Sequence, residues 1–300
     1  MKNFKYIALV LAGASMYGTM SSFVKLFYLR GYSIAEMSFL QALFAAIFLG
    51  FALIFSSDKR KLKLSRKELI SLAATGATIG LTTFLYYQSV KYISASLAIV
   101  LLMQFTWISL LLEWLFFKKK PAGAEMITIL FVLAGTVLAG NLLKAEKIDF
   151  SWIGIILVLI SSFTYAVYIV ANSRAGVNVN WLPKSTLLMV GSAITIFLIN
   201  ARQICVETHW SSELLLIALF LAVIGTTLPT AFFAAGIPKI GAGISAVLMT
   251  IELPVAVICS SLLLKEPISF LQIIGILIML GSIAFMNYFK YMKNKRNHLT

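Results

Sequence analysis

The sequence predicts an all-α polytopic membrane protein, and three observations support that fold class. Hydrophobic residues (AVILMFWYC) make up 60% of the 300 residues and charged residues only 12%, whereas a globular protein carries about 25% charged residues. The apolar residues form long stretches, and the mean hydropathy of the chain is +0.95. The 25 Lys and Arg outnumber the 11 Asp and Glu and concentrate in alternate connections. One core cannot hide so much apolar surface, so lipid is the expected solvent.

Ten stretches are long enough to cross a bilayer, since a spanning helix needs about 20 predominantly apolar residues. The first begins like a signal peptide, but its apolar run continues to Leu29, which favours a retained helix over a cleaved leader. The connections are short, so no extramembrane domain is predicted. The ten predicted spans are 6–29, 33–55, 68–90, 94–117, 123–142, 150–173, 184–204, 212–234, 241–264 and 268–289.

The distribution of positive charge predicts the orientation of these spans. With the N-terminus inside, 18 of the 25 Lys and Arg lie on inner segments, six lie on outer segments, and Lys25 lies within the first span. Short cytoplasmic loops carry such an excess, so both termini are predicted to be cytoplasmic and the protein to lie in the cell inner membrane. Cations scattered along a membrane face disfavour a nucleic-acid partner. The sequence lacks a GxxxxGK(S/T) phosphate loop, which argues against an ATP-driven pump on this chain.

The two halves of the chain resemble each other. At an offset of 148 residues, and then of 146, a series of residues in the first half coincides with identical residues in the second. This predicts a first repeat at 1–145 and a second at 146–300. Because each half holds five spans, an odd number, the second is expected to be inverted, which is the arrangement of carriers that open alternately to either side around a midplane site. The matched pairs are Tyr17 and Tyr165, Thr82 and Thr230, Phe84 and Phe232, Lys91 and Lys239, Ala98 and Ala246, Pro121 and Pro267, and Gly135 and Gly281.

The second half also carries a family likeness. The segment Ile240–Pro254, followed by Leu264-Lys-Glu-Pro267 and then by Gly275 and Gly281, resembles the EamA-type branch of the drug/metabolite transporter superfamily. The resemblance covers nearly the whole chain and implies secondary transport, often export, of small metabolites such as amino acids. It also implies a central cavity lined by the first four helices of each repeat, with the fifth and tenth helices outside it.

Glu252 is the foremost candidate site residue. It lies halfway along the ninth span, two residues before Pro254, and ionisable groups at membrane depth are costly and usually functional. Pro254 removes a helical hydrogen bond and frees backbone carbonyls. A carboxyl group there could be protonated, coordinate a cation or bind a substrate ammonium group, so protons are a candidate coupling ion. The alternative is a neutral glutamic acid whose hydrogen bonds stabilise the kink.

Further candidates are polar or aromatic residues at similar depth. The repeat places Gln104 at the position equivalent to Glu252, with Trp107 one turn later, although an interhelical hydrogen bond and a lipid-facing indole remain alternatives. Tyr17 and Tyr165 match by the repeat, and buried hydroxyls need partners. Tyr86, Tyr87 and Gln88 are further candidates, although their position near the predicted outer boundary favours an interfacial belt. The remaining predicted residues are Gln41 in the second span and Pro229, which is expected to kink the eighth.

The sequence therefore predicts a secondary carrier that moves a small amphipathic metabolite by alternating access. Multidrug efflux is the close alternative, and a channel or a membrane sensor is a weaker one. An enzyme is not expected, because His209 and His298 lie outside the spans and no HExxH motif or pair of aspartates occurs. Cys205 and Cys259 lack a metal-binding spacing, so neither a metal nor a cofactor is predicted.

Overall fold

A computed structural model describes residues 4–56, 64–139, 151–207, 211–265 and 268–297. These residues form α-helices joined by short turns, with two π-helical turns at Gln203–Glu207 and Val223–Thr227 and no strand among them. The helices are α1 (Phe4–Leu29), α2 (Ile34–Ile54), α3 (Arg66–Ser89), α4 (Ala95–Leu102), α5 (Phe105–Phe117), α6 (Gly123–Ala139), α7 (Trp152–Arg174), α8 (Trp181–Arg202), α9 (Ser212–Ala222), α10 (Leu228–Ile240), α11 (Ala242–Met249), α12 (Glu252–Leu264) and α13 (Phe270–Asn297).

Serine residues mark several helix starts. Ser65 precedes α3, and its hydroxyl accepts a hydrogen bond from the Glu68 amide while the Glu68 carboxylate accepts one from the Ser65 amide at 2.8 Å. The side chains of Ser94, Ser151 and Ser211 accept the equivalent bond at the starts of α4, α7 and α9. Such caps satisfy amide groups that the first helical turn leaves without partners.

Two predicted spans contain a break at mid-length. The fourth is divided into α4 and α5 at Met103–Gln104, and the ninth into α11 and α12 at Thr250–Ile251. Pro254 lies in the first turn of α12, where a missing N–H costs no hydrogen bond. Pro229 lies in the first turn of α10, directly after the π-helical turn Val223–Thr227. Both prolines therefore follow an irregular segment of a long apolar helix.

Helices from the two halves of the sequence pack against each other. α3 lies against α7 and α8, while α9 and α10 lie against α2 and α1. α6 packs against α13 at the edge of the bundle. α3 and α8 approach so closely that a Cβ atom on Gly76 would overlap the backbone of Leu188, and one on Gly191 that of Ala73. Small residues permit this kind of helix contact in membranes.

The structure confirms the predicted class, an all-helical multi-pass membrane protein. Within the described residues, eight helices are long and apolar enough to cross a membrane, and two apolar helices, Gly123–Ala139 and Phe270–Phe285, are shorter. The count of ten spans, the inverted repeat and the side of the termini stay predictions, and the boundary at 145/146 lies outside the described residues. The eighth stretch was predicted to end at 234 but continues to Ile240. Gly281, which the repeat pairs with Gly135, faces open space among the described atoms.

Candidate functional site

A small cavity lies among α1, α3, α4, α7 and the junction of α11 with α12. Its volume is about 20 Å³, enough for roughly one water molecule. The wall of this cavity is apolar except for several hydroxyl groups and one carboxyl group. The lining residues are Tyr17, Met20, Ile79, Thr82, Thr83, Tyr86, Tyr87, Ile99, Leu102, Tyr165 and Glu252.

The central contact of the cavity joins Glu252 to Tyr165. The Tyr165 hydroxyl donates a hydrogen bond of 2.6 Å to Oε1 of Glu252, and each residue is 2% exposed. Glu252 is the first residue of α12 and comes directly after the break in the ninth span. Since buried charges need partners, this bond is the feature that holds the carboxyl group at this depth.

Close packing fixes the positions of both side chains. The Tyr165 ring lies 4.7 Å from the Phe105 ring and 6.2 Å from the Tyr168 ring, centroid to centroid. Across the cavity, Gly18 of α1 faces the backbone of Glu252, and a Cβ atom at Gly18 would come within 2.5 Å of the Glu252 carbonyl oxygen. A larger residue at position 18 would therefore push α1 away from α12.

Tyr17 completes the wall on the α1 side. Its ring stacks on Phe233 of α10 at 5.5 Å, and Phe233 is fully buried. The structure thus brings together three of the predicted residues, Tyr17, Tyr165 and Glu252, from both halves of the chain.

Gln41 lies behind this wall and does not line the cavity. It is 2% exposed, lies beside Tyr87, and its Oε1 atom has no hydrogen-bond partner among the described residues. The Ser38 hydroxyl, one turn earlier on α2, likewise has no partner in the described part of the chain. Two polar groups on the same helix are therefore buried without a hydrogen bond, which is costly in a static core.

Gln104 and Trp107 lie away from the cavity. The Trp107 indole N–H donates to Oε1 of Gln104 at 2.8 Å, and Trp107 is 40% exposed. Residues three apart share one helix face, and here that face points outward while Phe105 and Thr106 are fully buried. The repeat places Gln104 beside the break in its span, as Glu252 lies beside the break in the ninth, but it does not predict the face of the helix on which Gln104 lies.

Tyr86 and Tyr87 correct the prediction of an interfacial belt. They are 7% and 2% exposed and line the cavity. Thr82, whose hydroxyl lies 2.7 Å from that of Thr164, also lines it and was not selected from the sequence. Its match to Thr230 in the repeat was the available signal.

A much larger vestibule lies elsewhere in the bundle, and its lining shares no residue with that of the cavity. It has a volume of about 870 Å³ and lies between the start of α1, the end of α2, the start of α8 and α10. Lys5 and Lys239 lie on its wall together with Asn178 and Asn180, and the described lining includes no acidic residue. The aromatic residues on the wall are Tyr6, Phe48, Trp181 and Phe232.

The opposite end of the bundle is closed. The Phe39 ring of α2 packs on the Phe197 ring of α8 at 5.5 Å, and Nε2 of Gln203 donates to the Ser33 hydroxyl at 2.8 Å. Nζ of Lys25 donates to the carbonyl oxygens of Val90 and Ile93 at 3.1 and 3.3 Å. These contacts join α1, α2, α3 and α8 on the side away from the vestibule.

These features together define a class of protein. Apolar helices from two sequence halves enclose a buried carboxyl group, with a wide vestibule on one side and a closed end on the other, as in membrane transporters. The chain belongs to the EamA-like transporter family, whose sequence pattern matches residues 4–141 and again residues 152–288. EamA proteins are part of the drug/metabolite transporter superfamily, so the sequence-based resemblance is confirmed.

Individual proteins agree with this assignment. An uncharacterized transporter of Synechocystis sp. is 26% identical over an alignment of 222 residues. The match covers 70% of this chain and 65% of that protein, slightly under two thirds of its length. A solved crystal structure with 15% sequence identity superposes with a TM-score of 0.71 and covers 95% of this chain and 99% of the other. At that identity the likeness shows a shared fold alone.

Proposed function

We propose that this membrane transporter is a secondary carrier that moves a small amphipathic metabolite by alternating access, with the substrate site at Glu252 and Tyr165. The hydrogen-bonded pair of these two residues is the observation that carries the proposal. Both residues belong to the second half, and the cavity that they line is completed by α1, α3 and α4 of the first half. Midplane sites of carriers with internal repeats lie between the halves in this way. The family pattern matching the chain twice supports the two repeats.

The contact between α2 and α8 supports the alternating movement. These helices touch at Phe39 and Phe197, and further along them Leu49 of α2 and Leu182 of α8 both line the vestibule. The repeat offset of 148 pairs Phe39 with Leu187 and Leu49 with Phe197. An inverted repeat that exchanges the conformations of its halves therefore brings Leu49 against Leu187 when the vestibule closes, while Phe39 and Phe197 separate.

The unpartnered oxygens on α2 fit that movement. Ser38 and Gln41 flank Phe39 in the closed half of α2. Opening this end admits water to both groups, and water supplies the hydrogen bonds that the closed end lacks. A permanently sealed end would favour apolar residues at these positions.

Charge supports an amino-acid-like substrate. Lys5 and Lys239 at the vestibule offer cations to a carboxylate, whereas Glu252 at the inner cavity offers an acceptor to an ammonium group. A zwitterion that moves inward from the vestibule can bind the lysines through its carboxylate first and Glu252 through its ammonium group afterwards. We place the vestibule on the cytoplasmic side of the inner membrane, with both termini cytoplasmic, because 18 of the 25 Lys and Arg fall on that side. For the direction of transport we propose export.

Glu252 is also the proposed coupling residue. A proton on the carboxyl group competes with a substrate ammonium group for the same oxygens, so one must leave before the other binds. Exchange of a proton for substrate at one carboxyl group couples export to proton entry without a second site.

Flux into proteoliposomes tests the proposal. Purified protein is reconstituted, and uptake of a panel of radiolabelled amino acids is measured with and without a pH gradient. Glu252→Gln is expected to lower gradient-driven flux by at least about tenfold, and Tyr165→Phe is expected to lower it less. Glu36→Gln, which removes an acid from the first turn of α2, is the matched control and should retain full flux. Unchanged gradient-driven flux in Glu252→Gln removes Glu252 from coupling.

Multidrug efflux is a second candidate, favoured by the size and aromatic wall of the vestibule. Its volume lies within the range of roughly 300–1,000 Å³ typical of drug-sized sites. A drug-susceptibility panel run beside metabolite profiling of a deletion strain separates the two. Altered resistance to unrelated compounds with unchanged metabolite export favours the multidrug function.

A further inference from the structure

A second concave surface lies on the outside of the bundle, away from the cavity and the vestibule. It is a groove of about 470 Å³ between α5 and the start of α6. Its lining is apolar except at one end, where Lys120 lies. We call it the α5–α6 groove, and it is lined by Trp107, Leu110, Leu111, Trp114, Lys120, Pro121, Met126 and Ile129.

The position of the groove relative to the bilayer follows from its two ends. Trp107 lies at mid-length of the fourth predicted span, and Trp114, seven residues later, lies one turn before Lys118. Seven helical residues rise about 10 Å, and tryptophan next to lysine is typical of the membrane interface. The groove therefore runs from the head-group level at Lys120 towards the bilayer interior.

The charged end is cationic. The carboxylate of Glu113 accepts hydrogen bonds from Lys119 at 3.2 and 3.3 Å, and its other close cation is Arg174 at 3.5 Å. Glu125 faces the protein, since it is 7% exposed and accepts from the Ala122 amide. Lys118 and Lys120 are exposed, and no carboxylate pairs with either of them among the described residues.

A hydrocarbon chain can occupy the apolar end of the groove without covering a polar group that lacks a hydrogen bond. Trp107 already donates its indole N–H to Gln104, so only the ring surface faces the groove. The volume lies within the range of roughly 300–1,000 Å³ of ligand sites. An anionic head group at Lys118 and Lys120, with an acyl chain along Trp107 and Trp114, matches both ends of the groove.

We propose that the α5–α6 groove binds an anionic phospholipid of the leaflet on the Lys118–Lys120 side. The lysines interact with the phosphate-bearing head group, and one acyl chain occupies the groove between the two tryptophans. The site lies outside the transport pathway, so it does not depend on the identity of the transported substrate.

Quenching of tryptophan fluorescence by brominated lipids tests the proposal in the full chain. A background with Trp152→Phe, Trp181→Phe and Trp210→Phe retains only Trp107 and Trp114. This protein is reconstituted in phosphatidylcholine containing increasing fractions of either dibrominated phosphatidylglycerol or dibrominated phosphatidylcholine. Stronger quenching by the anionic lipid at equal mole fraction is expected, with a relative affinity several-fold above that for phosphatidylcholine.

Charge variants identify the residues responsible. One lysine near the membrane surface contributes about fivefold to binding of an anionic lipid, so Lys120→Gln is expected to lower the preference by about that factor. Lys67→Gln, which removes an exposed lysine at the start of α3, is the matched control and should leave the preference unchanged. Equal loss in both variants assigns the preference to general surface charge and overturns the proposal.

The background protein gives a result independent of any charge variant. Equal quenching by the two brominated lipids shows that the groove holds lipid without selecting the head group, which contradicts the proposal. Protection of both tryptophans from either lipid, with cross-linking of two chains through α5, shows instead that a second copy covers the groove.

Discussion

The two ends of the contact between α2 and α8 differ although the same two helices form both. At one end Phe39 and Phe197 pack at 5.5 Å, with Ala35, Ala42, Ala193 and Ile196 buried around them. At the other end the helices line opposite walls of the 870 Å³ vestibule. Helix propensity cannot cause this difference, because each helix continues through both ends. The difference lies in which side chains meet, and side-chain contacts can be exchanged.

The closed end contains polar groups that a permanent seal would not need. The oxygens of Ser38 and Gln41 lack hydrogen-bond partners among the described residues, as does the Thr227 hydroxyl at the vestibule. Unpaired buried polar groups cost roughly 1–3 kcal/mol each, so the closed end stores free energy that hydration can release. The comparison therefore predicts that closure of this end is reversible.

Locking the closed end should have the largest effect. With Cys205→Ser and Cys259→Ser as background, Phe39→Cys and Phe197→Cys place two thiols at the closed contact. A short bis-methanethiosulfonate reagent, which forms a reducible disulfide with each thiol and releases sulfinate, is expected to join them and to lower flux by more than about tenfold, because the second conformation becomes inaccessible. Flux should return after reduction of the cross-link.

The mirrored pair sharpens this result. Leu49→Cys with Leu187→Cys should react slowly at rest and faster when substrate is present, since these positions meet only after the vestibule closes. Phe39→Cys alone is the control for labelling. Full flux in the cross-linked Phe39/Phe197 protein would falsify the exchange of the two ends.

A substitution at the close contact between α3 and α8 should have the next largest effect, which is a loss of stability. Gly76 of α3 faces the backbone of Leu188 of α8 without space for a Cβ atom. Gly76→Leu is expected to lower the free energy of unfolding by at least about 1–3 kcal/mol, because overpacking forces the helices apart. The thermal midpoint in detergent measures this change.

Gly50 provides the matched control for Gly76. It lies in α2 at the vestibule end, with open space where a Cβ atom would lie among the described atoms. Gly50→Leu should not lower the thermal midpoint, since the added side chain meets open space and leucine favours a helix more than glycine does. Equal destabilisation by both variants would show that the α3–α8 approach has no special role.

The sequence predicted the helices better than it predicted the site. Long apolar runs determine where helices form, so the predicted stretches and the observed helices differ mainly at their ends, as at Ile240. Scarcity of charge identified Glu252, and the repeat identified Tyr17 and Tyr165, which the structure brings to one cavity. The depth of a residue can be read from its position within an apolar run.

The face of a helix could not be predicted in the same way. A span that is apolar on every side gives no periodic signal for its inner face, so Gln104 and Trp107 were assigned to the site although both face outward. The break at Met103–Gln104 also shifts the helical register between α4 and α5. No local sequence pattern predicts which way the side chains of α5 point after that shift. Tyr86 and Tyr87 were misassigned for a related reason, since burial near a helix end depends on the helices that cover it.

The smallest expected effect concerns the closed end alone. Lys91 follows α3 at this end, with its ammonium group 5.7 Å from the centre of the Tyr28 ring, and partial burial lowers the pKa of Lys91 below the ordinary lysine value. Between the pKa of Lys91 in the folded chain and its higher pKa in the unfolded chain, the unfolded chain binds more protons than the folded one. The free energy of unfolding therefore rises with pH across that interval, and the destabilisation caused by burying the ammonium group vanishes above it. The titration of ¹³C-methylated lysines by NMR measures the pKa, with Lys91→Arg assigning the signal.

Tyr28→Leu removes the ring that favours the ammonium group and should lower the pKa of Lys91 further. Lys91 is already partly exposed, and it loses its remaining cover if substrate opens this end, so its pKa should rise towards the ordinary value. A pKa that substrate leaves unchanged would mean that the closed end does not open around Lys91.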